Sequence, residues 1–221
     1  MEYEGLFTDS KWAIIKELAN KKQSPTELAK KTNTSIANIS QQLRLLEAYN
    51  LVIKEKLKEN NVPGKPKVNY RIAKEVSYIV HITQDSAEKK LIETNPLHQM
   101  LLNIIFLEKT EDQEILMNFF GQSQDLFVKC QSILLLKSES NKIELTLITD
   151  HVDNIRTKYS NITIETSKKT KKYIACWTHS MQELEEGIHS KNEHFMKITT
   201  KVKTLYDPSN LILKIRALRN E

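Results

Sequence analysis

Apolar positions recur at helical spacing through the first fifty residues. Trp12, Ile14, Ile15, Leu18 and Ala19 predict an amphipathic helix over residues 10–20. The run Ser24-Pro25-Thr26-Glu27 is a helix start. Ser24 can cap, Pro25 suits the first helical position, and Glu27 can reach back as the acid of a capping box. A short helix with Leu28 inward then runs to about Lys31. A polar turn follows, and Ser35 caps a third helix over residues 35–49. That helix places Ile36, Ile39, Leu43 and Leu46 on one face. At ~100° per residue, Ala37, Gln41, Arg44 and Ala48 lie opposite, with Thr34, Asn38 and Ser40 flanking. Leu51-Val52-Ile53 then leads into a two-residue alternation. Val68, Tyr70 and Ile72 alternate with Asn69 and Arg71 in a returning strand, after a polar turn containing Pro63 and Gly64.

Further along, residues 87–91 and 96–108 read as helices. Leu97, Met100, Leu101, Ile104 and Ile105 form an apolar stripe on the second, suited to a core or a dimer seam. Residues 111–120 and 124–129 continue as helices. The pattern then changes to short strands at 133–136 and 143–148, a helix at 150–159, and strands at 161–166 and 172–178. Helices at 181–190 and 193–203, a Leu205-Tyr206-Asp207-Pro208 turn and a helix at 209–219 close the chain. The fold class is α+β. Residues 1–75 form a winged helix-turn-helix, 76–111 a helical linker or dimerisation segment, and 112–221 an α+β domain with a small mixed sheet.

Composition narrows the chemistry. The 221 residues suit two domains, and 39% apolar with 28% charged suffices for packed cores. Average usage would give about fifteen glycines; there are 4, and neither G-x-G-x-x-G nor G-x-x-x-x-G-K-[ST] occurs. Cys130 and Cys176 form no C-x-x-C and read as two reduced, buried thiols. The acidic, non-apolar start shows no signal peptide, and no apolar run is long enough to span a bilayer, so the expectation is a cytoplasmic protein with no membrane partner.

Charge is unevenly placed. Residues 1–75 carry 14 Lys+Arg and 9 Asp+Glu, which is the entire net +5 of the chain; residues 76–221 carry 19 of each. Seven of those cations fall within residues 54–74, against Glu55 and Glu59. Phosphate binding needs such local density. The third helix offers matching chemistry, since Gln and Asn pair bidentately with adenine and Arg with guanine.

The segment from Ile39 to Val52, I-S-Q-Q-L-R-L-L-E-A-Y-N-L-V, resembles the ArsR-type winged-helix pattern V-S-x-H-L-x-x-L-x-x-x-G-L-V. Gln42 stands for the usual His and Asn50 for the usual Gly, a tolerable exchange at a left-handed helix stop. The resemblance implies double-stranded DNA as partner, with the third helix in the major groove and the hairpin near phosphates. It places base reading on Ala37, Asn38, Ser40, Gln41 and Arg44. Phosphate contact falls to Lys58, Lys65 and Lys67 at the wing tip, with Ser24 or Thr26 at a helix start. Many ArsR-type repressors sense metals through Cys or His. Residues 1–75 contain neither, so no metal and no cofactor is expected there. Lys-, Asn- and Ile-rich composition gives the chain an archaeal look.

The C-terminal run T-H-S-M-Q-E-L-E-E-G-I-H with the later L-Y-D-P resembles the close of a minimal nucleotidyltransferase domain, over about residues 112–221. Active members carry G-S and then D-x-D for divalent metal. Here Lys137-Ser138 stands at the first motif and Lys142-Ile143-Glu144 at the second, with no acidic residue in 172–178. Lysine cannot ligate Mg²⁺ as a carboxylate does, so a degenerate, inactive domain is expected, free to pair subunits or bind a small-molecule effector. His179, His189 and His194 fit no helix-face ligand spacing and read as solvated or partly packed. The expected function is a homodimeric DNA-binding transcriptional regulator reading a near-palindromic site, not an enzyme. The alternative is a nucleotidyltransferase recruited to its substrate by the winged helix.

Overall fold

The computed structural model describes residues 4–56, 68–167, 169–200 and 202–218. The chain divides into two compact units, Met1–Thr94 and Asn95–Glu221. Both are built from mixed helix and strand, as the patterning implies.

In the N-terminal unit, α1 (Asp9–Asn20) buries Ile14 and Leu18, and α2 (Pro25–Lys31) buries Leu28 and Ala29. The capping box at α2 is formed on both sides. The Glu27 amide donates to Ser24 Oγ at 3.3 Å, and the Ser24 amide donates to Glu27 Oε2 at 2.8 Å. Asn33 takes φ 52° in the turn to α3 (Ile36–Ala48). Ser35 caps α3 through the Asn38 amide at 3.2 Å. At the other end Asn50 takes φ 56°, and the Leu51 amide donates back to the Leu46 carbonyl at 2.9 Å. This is the left-handed stop that glycine usually supplies and asparagine tolerates. Ile39, Leu43 and Leu46 enter the core with Leu6, Leu51, Val52 and Tyr70. Ile36, expected on that apolar face, is half-exposed at 51% instead, because it lies in the first turn beyond the reach of α1 and α2 packing.

The wing is β1 (Val52–Lys56) paired antiparallel with β2 (Val68–Ile72), Val52 opposite Ile72. Gln23, between α1 and α2, adds a bridge to the far side of β2. Its amide donates to the Tyr70 carbonyl at 3.1 Å and its carbonyl accepts from the Tyr70 amide at 2.8 Å.

The helix expected at residues 87–91 is a strand. β3 (Val76–Ile82) and β4 (Ala87–Glu93) form an antiparallel ribbon of their own. Ala-Glu-Lys-Lys-Leu favours helix locally, but pairing with the β-branched and aromatic run Val76-Ser77-Tyr78-Ile79-Val80 overrides so weak a preference. Tyr78 stacks on Phe7 with ring centroids 5.2 Å apart, and Lys74 bonds Glu93 at 2.7 Å, so the base of the ribbon is held.

The C-terminal unit runs α4 (Pro96–Ile105), α5 (Thr110–Gln122), α6 (Leu126–Lys129), β5 (Cys130–Ser138), β6 (Lys142–Thr149), α7 (Val152–Tyr159), β7 (Asn161–Glu165), β8 (Lys171–His179), α8 (Met181–His189), α9 (Glu193–Thr200), β9 (Lys203–Tyr206) and α10 (Leu211–Leu218). Its sheet has the order β7-β8-β6-β5-β9, antiparallel except for the β6–β8 pair. The alternation of each strand separates two cores. Ile133, Leu135, Ile143, Leu145, Ile174 and Cys176 face Met100, Ile104, Ile115, Phe119, Ile155 and Tyr159 of the helices α4, α5 and α7. Leu134 and Ile148 face Leu184, Ile188, Ile198, Ile212 and Ile215 of α8, α9 and α10. Residues 205–206, expected in a turn, lie in the short edge strand β9. Asp207 beyond it caps α10, its carboxylate accepting from the Leu211 and Ile212 amides at 2.9 and 3.0 Å. On α4, Met100 and Ile104 are buried while Leu97, Leu101 and Ile105 face outward.

Candidate nucleic-acid interface

The cap at Ser35 and the stop at Asn50 fix where α3 begins and ends, and its buried stripe fixes which face remains outside. Ala37, Gln41, Arg44 and Ala48 are exposed, flanked by Ile36 and Leu45. Gln41 and Arg44 have no side-chain hydrogen bond or ion pair among the described residues, so amide and guanidinium are available to an outside acceptor or donor.

Asn38 and Ser40 are placed differently. Both are half-buried. Asn38 donates to Thr34 Oγ1 at 3.0 Å and accepts from Gln42 Nε2 at 3.1 Å, a polar ladder along the side of α3. Ser40 Oγ donates to the Ile36 carbonyl at 2.8 Å. Ile36 and Leu45 are outward apolar residues that the helical pattern alone did not single out. Each sits at the margin of the exposed arc, where a methyl-bearing base edge is a suitable neighbour.

On the wing, Lys54 and Lys56 are exposed, with no ion pair among the described residues. Arg71 is engaged: its Nε donates to Glu55 Oε1 at 2.5 Å, and Lys22 stands 3.6 Å from the same carboxylate. The Arg71 hydrogen bond holds Glu55 below the usual carboxylate range. Lys58, Lys65 and Lys67 lie outside the described residues. Ser24 Oγ is taken up by the capping box, while Thr26 is exposed at the start of α2.

The C-terminal unit presents a contrasting surface. On the sheet face that α8, α9 and α10 leave open near β7, a groove of about 520 Å³ is lined by Lys142, Arg156, Asn161, Tyr173, Trp177 and His179, among others. Trp177 is 44% exposed. Arg156 Nη2 donates to the Thr178 carbonyl at 2.9 Å. Of the positions compared with G-S and D-x-D, Lys142 lines this groove. Lys142 Nζ bonds Glu144 Oε1 at 2.5 Å, and the β8 residue in register with Glu144 is Ala175. Ser138 donates to Asp112 Oδ2 at 2.6 Å, and Asp112 Oδ1 accepts from Lys172 Nζ at 2.7 Å. Lys172 is fully buried. Burial opposes its charge, but the Asp112 hydrogen bond and the charges of Asp112 and Glu111 outweigh this and raise its pKa.

His179 and His194, fifteen residues apart, are brought together with Nε2 atoms 3.0 Å from each other. The end of β8 and the start of α9 make this pair, so no spacing rule within one helix could have found it. Burial lowers both pKa values, helped by the charge of His194 at His179 and by that of Lys197 at His194. Among the described residues no group of three or more His, Cys, Asp and Glu is placed to hold a metal ion. Cys130 and Cys176 are free and buried, their thiols pushed up to about 12 by burial. No helix among the described residues is long and apolar enough to cross a membrane.

Residues 9–54 match the family model of bacterial regulatory proteins of the arsR family. The match spans α1, α2, α3 and the start of the wing, which supports a DNA-binding transcription regulator. The chain matches no curated protein.

Proposed function

We propose that the chain is a homodimeric transcriptional regulator that reads a near-palindromic DNA site, with α3 in the major groove and the basic wing on the backbone. The exposed α3 arc, where Gln41 and Arg44 have no partner among the described residues, carries this reading. Two such helices about 34 Å apart would enter successive major grooves on one side of the duplex. Ala37, Gln41 and Arg44 face the bases, and Lys54, Lys56, Lys58, Lys65 and Lys67 neutralise phosphates. Asn38 holds the flank of α3 through Thr34 and Gln42, and Ser40 is bonded to its own helix; both reach bases only by exchanging those bonds.

The test is a binding titration on a site selected from random duplexes, beside an unrelated duplex. Arg44→Ala is expected to weaken the selected site roughly 5- to 150-fold and the unrelated duplex little. Lys54→Ala and Lys56→Ala are expected to weaken both and to flatten the salt dependence. Equal loss on both duplexes from Arg44→Ala would remove its base-reading role.

The C-terminal unit, read as a degenerate nucleotidyltransferase, is assigned no catalysis. Of the carboxylate positions of that motif, Glu144 alone is acidic, and Lys142 neutralises it. The groove beside it, with an exposed Trp177 between Lys142 and Arg156, favours a sensor for a planar anionic effector. Magnesium-dependent incorporation of labelled nucleotide, lost in Glu144→Gln, would restore the enzyme reading.

A further inference from the structure

The β3–β4 ribbon is unusual in what it leaves uncovered. A two-stranded ribbon is marginal by itself in water. Beyond its base this one is exposed: Ile79 at 41%, Val80 at 57% and Ile82 at 73%. Its two edges differ in kind. Strand β4 carries Glu88, Lys89, Lys90 and Glu93, the charged residues that guard an edge against pairing. Strand β3 carries no Asp, Glu, Lys or Arg from Val76 to Ile82. Its only strand partner among the described residues is β4. One edge is therefore protected and the other is a template for strand addition.

We propose that the free edge of β3 pairs antiparallel with β3 of a second copy, about a two-fold axis near Val80. This rests on the homodimer reading above and names its surface. A second copy fits for two reasons. The strand carries no Asp, Glu, Lys or Arg, so it meets itself without repulsion between such side chains. Pairing joins two ribbons into four strands whose outer edges are both β4, and their charges stop further addition. The contact is isologous and closes at two chains instead of growing into a fibre. It also brings cross-strand neighbours against Val80 and Ile82, on the face where Tyr78 already meets Phe7. The ribbon belongs to the same unit as α3, so pairing there sets the spacing of two reading heads directly.

The experiment is sedimentation equilibrium of the full chain, free and on its selected duplex, with thermal unfolding as a control for folding. Val80→Lys places like charges opposite each other at the two-fold, and self-association is expected to weaken at least about tenfold, with unfolding unchanged at dilutions where the wild-type chain is itself monomeric. Val80→Glu alone is expected to do the same, and an equimolar mixture of the two variants to recover dimers of mixed composition. Wild-type dimers that persist in both variants would overturn this inference and leave the dimer reading standing. The outward stripe Leu97, Leu101 and Ile105 on α4 would then be the surface to test. A wild-type chain that remains monomeric even on DNA would overturn both.

Discussion

The exposed arc of α3 and the C-terminal sheet handle their polar and charged groups differently. On α3 and the described wing, Gln41, Arg44, Lys54 and Lys56 have no partner among the described residues. On the C-terminal sheet the cations are engaged: Lys142 with Glu144, Lys172 with Asp112, Lys158 with Asp125, Arg156 with the Thr178 carbonyl. Asp125 is held at about 2 by the Tyr159 hydroxyl, then by Lys158 and Lys129. The same residue types thus serve two ends. A cation without an internal partner can meet phosphate or a base edge. One bonded within the sheet also helps to fix its own fold.

That contrast can be broken most sharply at Lys172. Lys172→Met leaves Asp112 buried with Ser138 as its remaining donor, and is expected to destabilise the C-terminal unit by ~3–5 kcal/mol. Denaturant unfolding should show that transition moving while the N-terminal one stays. A common shift of both would mean the units unfold as one. A smaller effect is expected from pH. His179 and His194 have folded pKa values below 6.5, so the unfolded chain binds more protons and stability falls as pH drops through that range. Between about pH 7.5 and about pH 5.5 the C-terminal transition should weaken, and His179→Gln should reduce that dependence. A flat profile would mean that the pair binds protons as readily in the folded chain as in the unfolded one. The smallest effect belongs to the α3 arc. Arg44→Ala should change stability by no more than ~0.5 kcal/mol. A larger loss in thermal unfolding would show that Arg44 has an internal role.

Much of this architecture was legible along the chain because the signals were local. The capping box at Ser24 and Glu27, the cap at Ser35 and the left-handed Asn50 are each written within four residues, and each is formed. The helix faces were readable too, with end effects as the exception: Ile36 keeps the phase of Ile39 and Leu43 but lies outside the packed turns. The β3–β4 ribbon was not legible, because residues 87–91 are good helix formers whose pairing partner lies elsewhere in sequence. The Lys172–Asp112 pair joins residues sixty positions apart, and His179 with His194 joins a strand end to a helix start. Neither leaves a periodic trace. At the site, the pattern identified the outward arc of α3, whereas the internal bonding of Asn38 and Ser40 depends on which hydroxyl or amide lies one turn away.

The bridge between Gln23 and Tyr70 has a mechanical consequence. Gln23 is fully buried, and its side chain also donates to the Glu17 carbonyl at 2.8 Å at the end of α1. The wing strand is therefore tied by two backbone bonds to a residue that is itself tied to the first helix. In the proposed complex, a pull on the wing from bound phosphates would load the α1–α2 turn, and through α2 the seat of α3, coupling grip on the backbone to the tilt of the reading helix.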